Sequence, residues 1–283
     1  VRIRTWLLLI ASVLTGIAMG PRVLAQPTAP PSLETHGTTA DLHLPSGIVG
    51  RHQTSFDAAD APRAHNVDLA ASLIDGATIR PHRTLSFDER VGPRTAARGF
   101  LDAETLLNGV PTPGIGGGIC QVATTLFVAA FTAGLPVTEV HPHTRLPPYA
   151  RPGMDAAIAS DRFDLRLENP LASTVTIHAH TERGRLIVEL ASTATPLDVS
   201  WDTTIEETST PRERVERVRG LSASDRRVID EGATGWTVLR TRVVRQDGHA
   251  HRDRAHVRYH AFPRIVRTGR ATATARPARS SRR

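Results

Sequence analysis

The chain has 283 residues, with 40% hydrophobic, 4% aromatic and 22% charged side chains and a formal net charge of +7. That length suits one medium domain and a smaller one. The excess charge sits at the ends, in Arg2, Arg4 and Arg22 and in Arg270, Arg276, Arg279, Arg282 and Arg283, so the body is near neutral. There is no lysine and no basic patch interleaved with aromatic rings, so a nucleic-acid role has no support. One cysteine, Cys120, excludes an intramolecular disulfide framework.

Residues 1–25 read as a signal peptide. Arg2 and Arg4 precede an apolar run from Trp6 to Ile17, and Val23-Leu24-Ala25 offers small residues for cleavage before Gln26. The run is shorter than the roughly 20 residues of a membrane span. An uncleaved anchor is the alternative. The expectation is an exported protein, periplasmic or on the cell surface, with no transmembrane span once the signal is removed. Residues 26–47, rich in Pro, Thr, Ser and Ala, read as a disordered linker.

A main domain is expected over 48–192. Asn66 is placed to cap a short helix through Leu73, with Leu69 and Leu73 on one face and Gly76 stopping it. Leu101 to Val110 fits helix or strand, although Asn108-Gly109 favours a hairpin turn. The clearest helix runs from Ile119 to Ala133. Its apolar residues cover most sides, so it belongs in the domain centre, and Gly134 and Pro136 end it. Beyond it the period changes to two in Phe163 to Leu167, Val175 to Ile177 and Leu186 to Leu190, with a turn at Glu182-Arg183-Gly184.

Residues 197–269 read as a small, mainly β unit with a strand from Trp236 to Val244, a turn at Asp247-Gly248, and a helix-like stretch from Pro211 to Arg219. Residues 270–283 form an arginine-rich tail with the composition of disorder. The fold class is therefore α+β. A largely antiparallel sheet surrounds a buried central helix that follows a Gly-rich turn, and a small β domain follows.

The chemistry-bearing stretch is Gly116-Gly117-Gly118-Ile119-Cys120-Gln121. The glycines permit a tight turn, with Gly117 and Gly118 leaving amides open to an oxyanion, and Cys120 falls in the first helical turn. There the helix dipole favours a thiolate. His141-Pro142-His143 supplies candidate bases, because alternate residues of an extended segment face one way. Asp155 and Asp164 are candidates to orient an imidazole, and Gln121 to stabilise an oxyanion or cap the helix. Two other readings stand beside this one. Cys120 is a buried structural cysteine, or Cys120, His141 and His143 ligate zinc. Neither Cys-x-x-Cys nor His-Glu-x-x-His supports a metal, so no metal and no cofactor is expected. His178 and His180, alternating on one strand face, read as solvated surface.

At these residues the sequence resembles the VanW family. The resemblance is carried by Asn66, Leu69, Ala70, Gly76, Pro81, Phe87, Val91-Gly92-Pro93-Arg94-Thr95 and Gly99-Phe100. It continues through Gly116 to Thr125, His141-Pro142-His143, Tyr149, Pro152-Gly153, Asp155-Ala156-Ala157, Asp164-Leu165 and Asn169. Ala123 and Thr144 stand where the family pattern leads one to expect serine, and Phe127 where it leads one to expect tyrosine. A serine-dependent mechanism at position 123 is thus disfavoured. The resemblance implies a bacterial cell-envelope protein, of a family named from a glycopeptide-resistance gene cluster, and implies no particular reaction. More weakly, Glu231-Gly232, Gly235, the strand from Trp236, Asp247-Gly248 and Pro263 to Gly269 resemble the G-five module. That module is proposed to bind wall aminosugars, and Trp236 and Tyr259 are the candidate glycan-binding rings.

Two functions follow. One is a Cys-dependent amidase or acyl transferase on peptidoglycan peptides. The other is a non-catalytic protein that binds peptidoglycan or its aminosugars.

Overall fold

The computed structural model describes residues 34–222 and 224–269. The expected signal peptide at 1–25 and basic tail at 270–283 lie outside the described residues. In chain order come β1 (Glu34–Thr38), β2 (Ile48–Ser55), α1 (Ala61–Ile74), β3 (Thr78–Ile79), β4 (Thr84–Ser86) and α2 (Phe87–Val91). Next are β5 (Asp102–Leu107), β6 (Val110–Ile115), α3 (Ile119–Thr132), β7 (Val137–Glu139), β8 (Arg166–Glu168), β9 (Val175–Glu182) and β10 (Arg185–Ala191). The C-terminal unit comprises β11 (Asp198–Ser209), β12 (Glu213–Val218), β13 (Arg226–Asp230), β14 (Gly235–Gln246), β15 (His249–Tyr259) and β16 (Arg264–Gly269).

These strands form sheets in the orders β2-β10-β9-β3, β4-β8-β7, β5-β6, β1-β11-β14-β15 and β12-β16-β13. Among the described residues every strand pairing is antiparallel except β12 with β16. Mostly antiparallel sheet with few helices is an α+β class.

Helix α3 sits at the centre. All its residues except Cys120 are buried. One side faces β2 and β10, where a Cβ on Gly50 would lie 2.6 Å from the Ala129 carbonyl. The other side meets the C-terminal unit. Arg242 on β14 donates to the Phe131 and Leu135 carbonyls at 3.0 and 2.8 Å, tying the C-terminal unit to the chain where it leaves α3. Its guanidinium also pairs with Asp253 at 2.5 Å, so the buried cation is neutralised. Leu197 and Val199 join the same hydrophobic core as α3.

Three local expectations need correction. Asn66 does not cap α1, which begins five residues earlier with Pro62 in its first turn. Asn66 lies in the buried face, where its amide donates to the Leu101 and Gly117 carbonyls at 2.9 and 3.0 Å and accepts from Leu101 N–H at 2.8 Å. Residues 34–42, placed in the disordered linker, hold β1 and a 3-10 turn. Strand β1 needs no apolar face of its own, because its backbone pairs along β11. The helix-like Pro211 to Arg219 contains strand β12 instead. Its backbone pairs with β16, and Glu216 meets Arg267 across the pair at 3.2 Å, so charges that would suit a solvated helix serve a cross-strand contact.

The hairpin at Asn108-Gly109 forms as its residues demand. Both adopt left-handed backbone, φ 51° and 78°, which closes a two-residue turn between β5 and β6. Replacing Asn66 by Ala removes three hydrogen bonds of a buried side chain. The variant is expected to lose about 3 kcal/mol of stability in urea denaturation, from the unmet Leu101 and Gly117 groups.

Candidate active site

The turn before α3 is squeezed from two sides. A Cβ on Gly117 would lie 2.4 Å from the Glu104 carbonyl on β5, and one on Gly118 would lie 2.9 Å from Val67 on α1. Gly118 also takes φ 113°, a conformation that disfavours side chains. With Asn66 holding Gly117 from behind, the turn delivers Cys120 as the second residue of α3, partly exposed.

From α3, Cys120 and Thr124 face one extended segment. Ile158 N–H lies 3.4 Å from Cys120 Sγ, and Sγ lies 3.7 Å from the Ile158 carbonyl. Ala156 N–H donates to Thr124 Oγ1 at 3.0 Å. Four helical residues and two extended residues both advance about 6 Å, so the contacts match in step. The other edge of that segment meets the His-Pro-His stretch, where Ala157 N–H donates to the His141 carbonyl at 2.7 Å. Asp155 Oδ2 accepts from both His143 N–H at 2.8 Å and His143 Nδ1 at 2.7 Å. With Nδ1 engaged by Asp155, Nε2 is the nitrogen of His143 left to act on the Cys120 thiol.

The result is a Cys120–His143–Asp155 chain. Burial raises the thiol pKa, but the hydrogen bond and charge of His143, with the Ile158 amide and Arg94, outweigh it and bring the thiol below its ordinary value. Burial likewise opposes the imidazolium, yet Asp155 and Cys120 push His143 up to about 10. Cys120 is thereby biased toward thiolate and His143 toward imidazolium, the pairing that a cysteine nucleophile uses.

The other candidates are placed elsewhere. His141 pairs with Glu139 at 3.1 Å and packs on the Phe163 ring, so it is not the base at Cys120. Asp164 accepts from Ser86 Oγ at 2.5 Å, Asp88 N–H at 2.8 Å and Leu165 N–H at 2.7 Å, and it pairs with Arg166. It ties α2 to the β7–β8 region and does not orient His143. Gln121 is 1% exposed and neither caps α3 nor offers a free donor. Its amide nitrogen bonds Thr54 Oγ1 and the Ser55 carbonyl, and its oxygen accepts from Arg63. Trp236 and Tyr259 are 9% and 2% exposed and pack edge to face, so neither presents a ring to a glycan. Tyr259 instead donates its hydroxyl to Asp155 Oδ1 and accepts from Gly153 N–H at 2.8 Å. Among the described residues no group of three or more His, Cys, Asp and Glu is arranged to hold a metal.

Sequence reasoning gave no site role to Tyr149, Arg94 or Ile158. Burial and the nearby Cys120 raise the Tyr149 phenol pKa well above its ordinary value, and Arg63 lies over its ring. Tyr149 and Arg94 belong to the motif stretches quoted above, a signal that marks them without giving a role. Nothing in the spacing marks Ile158.

Residues 62–191 match the family model described as VanW like protein. The protein YoaR of Bacillus subtilis is 37% identical over 150 residues, 53% of this chain and 50% of that protein. The vancomycin B-type resistance protein VanW of Enterococcus faecalis is 27% identical over 152 residues, 51% of this chain and 55% of its own. The chain spans about half the length of the curated relatives it matches. No solved structure matches it.

Iodoacetamide should alkylate Cys120 with a midpoint below the ~8.5 of a free thiol. His143→Ala should move that midpoint to the free-thiol range or above, because the cation stabilising the thiolate is gone while burial remains. A pH series of alkylation rates reads both.

Proposed function

The chain belongs to the VanW family through its domain at residues 62–191, and on that premise we propose that it is an exported cell-envelope enzyme, a cysteine-dependent amidase or acyl transferase acting on peptidoglycan peptides. The observation that carries the reading is the partly exposed Cys120 at the start of α3, whose thiol pKa is brought down by His143, while His143 Nδ1 is held by Asp155. One relative is named a vancomycin resistance protein, which supports a cell-wall substrate.

In this reading the Cys120 thiolate attacks the carbonyl carbon of a peptide bond. The carbonyl oxygen takes the negative charge at the positively polarised N-terminal end of α3. Imidazolium of His143 then protonates the leaving nitrogen as the C–N bond breaks, giving a thioester, a free amine and a neutral imidazole. Water or an acceptor amine next attacks the thioester and gives its proton to His143. The thiolate departs and the starting ion pair returns. Asp155 keeps Nδ1 hydrogen-bonded throughout, so Nε2 is the nitrogen that exchanges the proton.

The wall-binding alternative loses its structural support at the rings, because Trp236 and Tyr259 are core residues. Incubation with purified stem peptides, followed by mass spectrometry, tests the enzyme reading. The wild type should release new amines or form exchanged peptides, and Cys120→Ala should lower the rate by on the order of 10⁴-fold or more. Retention on sacculi without turnover, unchanged in Cys120→Ala, would favour binding instead.

A further inference from the structure

The Asp155 carboxylate is wholly buried and carries three hydrogen bonds. Two fall on Oδ2, from His143. The third falls on Oδ1, from Tyr259 on β15, so the C-terminal unit reaches into the site. Building on the thiolate–imidazolium reading above, we propose that Tyr259 is a positioning residue for His143, acting through Asp155, and that the C-terminal unit is thereby a working part of the Cys120 site.

A carboxylate bonded through one oxygen can turn about its terminal torsion, which is soft and nearly two-fold. Bonding Oδ1 to the phenol removes that freedom and keeps Oδ2 on both His143 donors. The phenol is itself fixed. Its oxygen accepts from Gly153 N–H, so its single proton is directed to Asp155. Its ring is locked against Trp236, directly opposite on β14, with centroids 6.4 Å apart.

The loop that carries His143 and Asp155 needs such support, because between β7 and β8 it contains no helix and no strand. Other ties from the C-terminal unit converge on it. Arg240 donates to the Gly153 carbonyl at 2.8 Å, and His260 N–H to the Thr144 carbonyl at 2.8 Å. Arg145 bonds both Asp230 carboxylate oxygens at 3.2 Å and the Gly232 carbonyl at 3.0 Å. These hold the loop in place, whereas Tyr259 alone among them touches the side chain that orients the imidazole.

Tyr259→Phe in the full chain keeps the ring and removes the hydroxyl. The midpoint of Cys120 alkylation by iodoacetamide should then rise by about 1 unit, as the imidazolium loses its fixed partner. In an Asp155→Asn background the same substitution should shift the midpoint no further. A merely structural tyrosine would lower the melting temperature and leave the midpoint where it was, which overturns the proposal. So does an equal shift in both backgrounds. Should the variant not fold, the wild-type proton spectrum decides. A slowly exchanging, strongly downfield Tyr259 hydroxyl is expected, and one in rapid exchange with water refutes the bond. A wild-type midpoint in the ordinary thiol range would instead sink the proposed function itself. A low wild-type midpoint untouched by Tyr259→Phe sinks only the positioning role.

Discussion

A carboxylate buried in a protein must be matched by donors, and the architecture around Asp155 follows from that demand. Its oxygens collect a backbone amide, an imidazole and a phenol, contributed by two distant parts of the chain. Satisfying it fixes the path of the His143 loop. The same extended segment that carries Asp155 then meets Cys120 and Thr124 on α3 two residues at a time. Thiol, base and orienting acid are thus brought together by one short stretch of backbone running between a helix and a loop.

Much of this is legible in the sequence. The glycine run, the apolar stretch behind it and the period-two segments specify a buried helix entered by a tight turn, and strands around it. Cys120, His143 and Asp155 were all among the candidates. What the residues alone could not do was choose. His141 and His143 have identical spacing logic, and only the tertiary path of the loop gives one to Glu139 and the other to Asp155. Asp164 looks equivalent to Asp155, but its carboxylate is taken up by the Asp88 amide at the start of α2, the Ser86 hydroxyl and the adjacent Leu165 amide.

The misread elements share a cause. Asn66 looks like a helix cap because asparagine often is one, yet its amide also matches a backbone donor and acceptor pair, and burial selected that use. Strand β12 looks helical because its charges recur at helical as well as alternate spacing. Its partner β16, about 50 residues onward in the chain, decided the matter. Trp236 and Tyr259 resemble a sugar platform in isolation. In the fold they seal the contact between the two units. Each error came from treating a long-range contact as a local signal.

Strand β1 carries a consequence for the order in which the molecule assembles. Its only strand partner among the described residues, β11, is separated from it by the whole of the domain that holds Cys120. During synthesis β1 must wait, unpaired, until most of the polypeptide has emerged. Closing so long a loop is entropically late and slow. The β1–β11 ladder is therefore among the last contacts to form, and it acts as a clasp that closes only on a chain whose middle has already folded.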